Sequence, residues 1–143
     1  MPEINEAMIF AAGFGKRMYP LTKKVPKPLL RVNGKPIIFY IIEYLISLNF
    51  KNIVINTHHL PEKFHDELKP YSKIVKIIFE KEILDTGGGF LNAIKKDYFY
   101  DLNSPKILIN GDILWKKSTT SPVENIIRNW NEEKMDLLLC LIN

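Results

Sequence analysis

The sequence is poor in cysteine: Cys140 is the only one. No intrachain disulfide can form, so the fold must rest on its packed core, as suits a reducing cytoplasm. Long hydrophobic runs are also missing. Nothing approaches the roughly 20 apolar residues a membrane helix needs. The segment Met1 to Glu6 is polar and acidic, unlike a secretory leader. A clustered basic stripe is absent too. The formal net charge of +4 is modest and the lysines are scattered, which argues against nucleic acid and fits a small phosphorylated ligand. The one local basic group is Lys23, Lys24 and Lys27. These absences predict a cytoplasmic protein that engages neither membrane nor nucleic acid. With 46% hydrophobic and 25% charged residues, the composition is that of a folded chain rather than a disordered one. The length of 143 residues predicts one domain over 1–143 with a sizeable core. Cys140, inside the apolar run Leu137 to Ile142, is expected as a small buried core residue.

Short apolar runs alternate with amphipathic ones. Strands are predicted at Ala7 to Ala12, Asn52 to Asn56, Lys73 to Phe79, Lys106 to Asn110 and Asp136 to Ile142. Helices are predicted at Pro36 to Leu48, Pro61 to Leu68, Gly88 to Asp97 and Pro122 to Glu133, three of them with proline in the first turn. The stretch from Gly13 to Gly34 holds too many prolines for a long helix and reads as a loop. Strand–helix alternation with continuously apolar strands predicts an α/β fold, a Rossmann-like three-layer sandwich around a mainly parallel sheet. Ligands of such sheets sit at the carboxyl ends of the strands. Three candidate segments fall there: Gly13 to Arg17, Asn56 to His59, and Asn110 to Asp112.

The glycine loop Ala11-Ala12-Gly13-Phe14-Gly15-Lys16-Arg17 matches neither common phosphate motif. The dinucleotide fingerprint wants a third glycine where Met18 stands, and the P-loop wants Ser or Thr where Arg17 stands. Its chemistry still points to phosphate. Glycines let backbone N–H groups approach an anion, and Arg17 adds a forked donor. Lys27, between Pro26 and Pro28, is a cation on a stiffened backbone. The adjacent His58 and His59 point opposite ways on an extended segment, so they share one metal ion poorly.

The combined pattern is more specific. Gly13, Gly15, Arg17, Met18, Pro20, Leu21 and Thr22, then Pro26-Lys27-Pro28, then Gly34-Lys35-Pro36, resemble the signature of the nucleoside-diphosphate-sugar pyrophosphorylases, or NTP-transferases. Lys16 departs from it, standing where the family most often has Thr or Ser. The resemblance implies that the backbone from Ala11 through Ala12 and Gly13 to Gly15, with Lys16, holds the nucleotide. It implies that Arg17 contacts the β- and γ-phosphates and Lys27 the phosphate at the reacting centre. Asn56 is expected either to hydrogen-bond the base or ribose or simply to end its strand. The run Thr86-Gly87-Gly88 resembles the family's nucleoside-pocket segment and looks most like bacterial uridylyl- and guanylyltransferases acting on amino sugars or mannose. Asn110 and Asp112 close the fourth strand, and by resemblance Asp112 ligates Mg²⁺. Glu80 and Glu82 are expected to be solvated.

The implied reaction joins an NTP, UTP or GTP favoured, to a sugar-1-phosphate with release of pyrophosphate. The family's domain continues past this length with sugar-binding residues and a second metal-ligating Asp. The expectation is therefore a truncated nucleotidyltransferase domain holding the nucleotide half-site. The alternatives are a non-catalytic nucleotide-binding remnant, a homo-oligomer or complementing chain that completes the site, and a cytidylyltransferase for an alcohol phosphate such as phosphocholine.

Overall fold

A computed structural model describes residues 3–115 and 121–141. In chain order the elements are β1 (Glu6–Phe10), a hairpin of β2 (Arg31–Val32) and β3 (Lys35–Pro36), α1 (Ile37–Ser47), β4 (Asn52–Thr57), α2 (Pro61–Glu67), β5 (Val75–Phe79), α3 (Asp85–Lys95), β6 (Ile107–Asn110) and α4 (Pro122–Asn129). One-turn 3-10 helices at Lys16–Met18, Leu21–Lys23 and Lys27–Leu29 fill the proline-rich loop. The hairpin turns at Asn33-Gly34, both with positive φ, as a two-residue connection of matched twist requires.

The main sheet is parallel, with order β5-β4-β1-β6. Alternate residues of β1 and β4 feed opposite cores. Ala7, Ile9, Ile53 and Ile55 pack with Ile38, Ile41, Ile42 and Leu45 of α1 and Phe64 of α2. Met8 and Val54 pack with Ala93 of α3 and with Ile78 and Phe99. Both faces are thus covered, which makes three layers and explains why these strands read as unbroken apolar runs. The chain passes from β1 to β4 and β5 on one side, then crosses to β6 on the other. The order therefore reverses between β1 and β6, and the crevice at that switch point opens at their carboxyl ends. No helix among the described residues is long and apolar enough to cross a membrane.

Three expectations need correction. The strand expected over 136–142 is not formed in residues 136–141, and Ile142 lies outside the described residues. Leu137, Leu139 and Leu141 are 68%, 66% and 81% exposed, because an apolar run alone supplies no neighbour to pair with. For the same reason Cys140 is exposed instead of buried. Helix α3 starts at Asp85 rather than Gly88, so the glycine run lies inside its first turns. Helix propensity disfavours that by about 1 kcal/mol per glycine, and close packing accounts for two of the three: a Cβ on Gly88 would meet Leu84 Cβ at 3.1 Å, and Gly89 has tighter neighbours still. Lesser shifts are the end of α4 at Asn129 and the start of β5 at Val75.

Candidate functional site

The last peptide of β1, between Phe10 and Ala11, is held from both sides. Gly111 N–H donates to Phe10 O at 2.8 Å. Ala11 N–H donates to Asn56 Oδ1, also at 2.8 Å. The chain then leaves the sheet as the glycine loop. Gly15 adopts φ +64, and a Cβ there would come within 3.0 Å of Thr22 Cγ2 and 3.2 Å of Lys27 Cβ, so only glycine fits without strain. Thr22 is fully buried and its hydroxyl donates to Gly15 O at 2.7 Å.

The two histidines brace this loop from the end of β4. His59 Nε2 bonds Thr22 O at 2.8 Å and His58 Nδ1 bonds Glu80 O at 2.8 Å. Carbonyls only accept, so both ring nitrogens carry hydrogen there. Phe14 packs against both rings, edge-on to His58 at 5.2 Å and tilted on His59 at 5.5 Å.

A cavity of about 420 Å³ lies at the switch point. Its lining brings together Ala11, Ala12, Gly13, Gly15, Lys16, Arg17, Lys27, Asn56, Thr86, Asn110 and Asp112 from five separate segments. Gly87 and Gly88 do not reach the lining, since they sit further along the first turns of α3. The cations Lys16, Arg17 and Lys27 share the lining with the carboxylic residues Glu80, Asp85 and Asp112. Lys27 Nζ and Asp112 Oδ2 form an ion pair of 2.5 Å, with side chains 28% and 34% exposed. Among the described residues Arg17 makes no ion pair. The site thus offers backbone amides and a forked cation to an anion, and a second cation and a carboxylate already in contact.

Glu80 was missed. It was expected in solvent, yet it is 2% exposed. Its Oε1 accepts from Asn56 Nδ2 at 2.8 Å and its Oε2 from Leu84 N–H at 3.3 Å. Its burial follows from Gly89, which lets α3 close over the carboxylate: a Cβ on Gly89 would lie 2.8 Å from Glu80 Oε1 and 2.9 Å from Asn56 Nδ2. The available signal was glycine within a helical stretch, which often marks a close neighbour, and here Gly89 is the position that has one. Asn56 is likewise 2% exposed, and both ends of its amide are engaged by the protein.

Among the described residues no group of three or more His, Cys, Asp or Glu gathers to hold a metal ion. A lone carboxylate at a strand end suits Mg²⁺, which takes one or two carboxylates and completes its shell with water and substrate phosphate. Asp112, partly exposed in the cavity, fits that donor set.

A sequence profile of the family described as Nucleotidyl transferase matches residues 6–142. The chain belongs to the nucleotidyl transferase family. This nucleotidyl transferase chain is 30% identical over 141 residues to N-acetylmuramate alpha-1-phosphate uridylyltransferase of Caulobacter vibrioides, covering 94% of this chain and 57% of that protein. The structure of HddC from Yersinia pseudotuberculosis complexed with GMP-PN matches at a TM-score of 0.63 and 29% identity, over 76% of this chain and 48% of that one. CTP:phosphocholine cytidylyltransferase from Streptococcus pneumoniae matches at 0.61 and 32% identity, over 76% and 46%. The chain therefore spans little more than half of that curated relative and just under half of these solved ones.

Proposed function

We propose that this chain carries the NTP half-site of an enzyme that moves an NMP from UTP or GTP to a sugar-1-phosphate and releases pyrophosphate. The observation that carries this reading is the cavity at the β1/β6 switch point, where the glycine-loop backbone, Arg17 and the Lys27–Asp112 pair converge. The relative from Caulobacter vibrioides, named for a sugar phosphate acceptor, supports it.

In this reading the Ala12, Gly13 and Gly15 backbone cradles the phosphates. Arg17 and Lys16 hold the β- and γ-phosphates, and Lys27 faces the α-phosphate. Asn110 and Thr86 wall the nucleoside side, and the Gly87 and Gly88 backbone lies next to Thr86 on that side. A phosphate oxygen of the acceptor attacks the α-phosphorus while the bond from that phosphorus to the bridging oxygen breaks. The electron pair leaves with pyrophosphate. No proton-transferring side chain is needed, so positioning and charge neutralisation carry the rate. Asp112 would hold Mg²⁺, which when bound offsets phosphate charge. Cytoplasm is the compartment we propose.

A second reading, transfer to phosphocholine, is favoured by the 32% identity to the Streptococcus pneumoniae enzyme. The outer edge of β6, with Leu108 39% exposed and Leu114 in the segment that follows it 48% exposed, supports a second copy or complementing chain that adds acceptor-side residues. Pyrophosphate release, assayed for each NTP against sugar-1-phosphates and phosphocholine, tests these readings. Turnover with a sugar-1-phosphate supports the first and turnover with phosphocholine the second. Tight NTP binding without pyrophosphate from any pair reduces the chain to a nucleotide-binding subunit.

A further inference from the structure

The buried polar chain behind the loop has no place in the chemistry above. It starts at Leu84 N–H and runs through the Glu80 carboxylate and the Asn56 amide to Ala11 N–H, with links of 3.3, 2.8 and 2.8 Å. It joins the entry to α3, the end of β5, the end of β4 and the end of β1. Its two side chains are each 2% exposed. Burying a carboxylate is unfavourable unless its oxygens are well satisfied, and a fold gains nothing from placing one here for packing alone. The amide of Asn56 accepts and donates in fixed directions, so a carboxylate at Oε1 dictates which end of the amide faces Ala11. With the Nδ2 end held by Glu80, Oδ1 must face β1 and take the Ala11 N–H.

That peptide is the root of the glycine loop. Its other side is held by Gly111, where a Cβ would lie only 2.9 Å from Phe10 O and 3.2 Å from Ile9 Cγ2. Asp112 follows Gly111 directly. The start of the loop and the carboxylate of the ion pair therefore hang from one peptide.

We infer that Glu80 and Asn56 are positioning residues: a buried brace, closed by Gly89, that orients the Phe10–Ala11 peptide and so sets the glycine loop for nucleotide phosphate. This rests on the nucleotide reading above. The brace touches no reacting atom. It acts through Ala11 on the loop and, through Gly111, on the spacing between loop and Asp112.

Two variants of the full chain disturb the brace differently. Glu80→Gln keeps the shape but places an amide where an acceptor stands, so either Asn56 or Leu84 loses its bond. Gly89→Ala removes no polar group and forces a Cβ into the pair. Melting temperature and circular dichroism establish that each variant is folded. Amide hydrogen exchange reads Ala11 directly, and calorimetric titration with Mg·UTP and Mg·GTP reads the loop. The brace predicts Ala11 exchange at least tenfold faster in both variants, with Met8 and Ile55 unchanged. It also predicts that the Kd for the nucleotide rises about tenfold. Uniformly faster exchange at Ala11, Met8 and Ile55 alike would mean a general stability effect and overturn the inference. So would wild-type affinity in both variants. Wild-type protein that binds no nucleotide overturns the nucleotide reading first, and the brace's bearing on affinity with it.

Discussion

Lys27 and Asp112 stand 85 positions apart in sequence, and their charged ends meet at 2.5 Å in the floor of the cavity. In the reading proposed above, the cation that would face phosphate and the carboxylate that would hold metal are paired with each other before either ligand arrives. The pair is partly exposed, so its contribution to folding is small, about 0–1 kcal/mol. Its consequence is competition. On that reading a metal ion at Asp112 would have to displace Lys27, and nucleotide phosphate would relieve that by taking the lysine. Lys27→Met is expected to tighten Mg²⁺ or Mn²⁺ binding to the nucleotide-free protein about fivefold, the equivalent of roughly 1 kcal/mol. Titration with Mn²⁺ followed by electron paramagnetic resonance checks it. Unchanged or weaker metal binding would mean that Asp112 is not the ligand.

Asp112→Asn keeps the size of the side chain and removes the charge. Thermal stability is expected to change by no more than about 1 kcal/mol. Pyrophosphate release should fall by at least about a hundredfold, as expected when charge stabilisation at a reacting phosphate is lost. A large drop in melting temperature with turnover retained would make the pair a structural contact.

Gly15→Ala places a side chain at φ +64 and within 3.0 Å of Thr22. The cost is expected at about 1–3 kcal/mol. Because the same residue shapes the loop between Gly13 and Arg17, nucleotide affinity should weaken together with stability. Denaturant unfolding and nucleotide titration on one preparation would show both. A variant as stable and as tight as wild type would mean that the loop adopts another path.

The strands of the main sheet were legible because a strand covered on both faces is apolar throughout, as in Ile53-Val54-Ile55. The loop was legible because glycine, proline and cations occur there at fixed local spacings. The contacts that complete the site were not. The Lys27–Asp112 distance, the burial of Glu80 and the engagement of Asn56 depend on how α3 and the strand ends come together in space. Gly89 carries that information, yet by helix propensity alone a glycine run marks a helix boundary rather than an interior. The segment 136–141 failed in the opposite direction. Its continuous apolar run reads as a strand, but a strand exists only with a neighbour to pair with.

At the other end of β1, Glu6 is 2% exposed and bonded by Tyr100 N–H, Asn52 Nδ2 and Asp101 N–H, with Lys106 Nζ at 3.2 Å. Burial opposes its ionisation, but those donors outweigh burial and hold its carboxyl below the ordinary value of 4.5. A lowered folded value means stability that is present above pH 4.5 and is lost as pH falls through the folded value. Glu43, held low chiefly by Lys35, adds in the same direction. Glu6→Gln should therefore flatten the decline of stability below about pH 4.5, measured by denaturant unfolding. Lys106→Met should cost about 3–5 kcal/mol by leaving a buried carboxylate without its cation. Neither change should alter nucleotide affinity, since both lie at the end of the sheet away from the cavity. An unchanged acid profile in Glu6→Gln would assign acid unfolding to other carboxylates.

The central claim is that the switch-point cavity binds nucleoside triphosphate through the glycine loop. Backbone amide resonances of the ¹⁵N-labelled chain, titrated with Mg·UTP and Mg·GTP, test it most directly. The amides of Gly13, Gly15, Arg17 and Gly111 should shift saturably with one shared Kd, and that of Glu6 should stay in place. Saturable shifts elsewhere with these four unmoved, or no shift at millimolar nucleotide, would contradict the account.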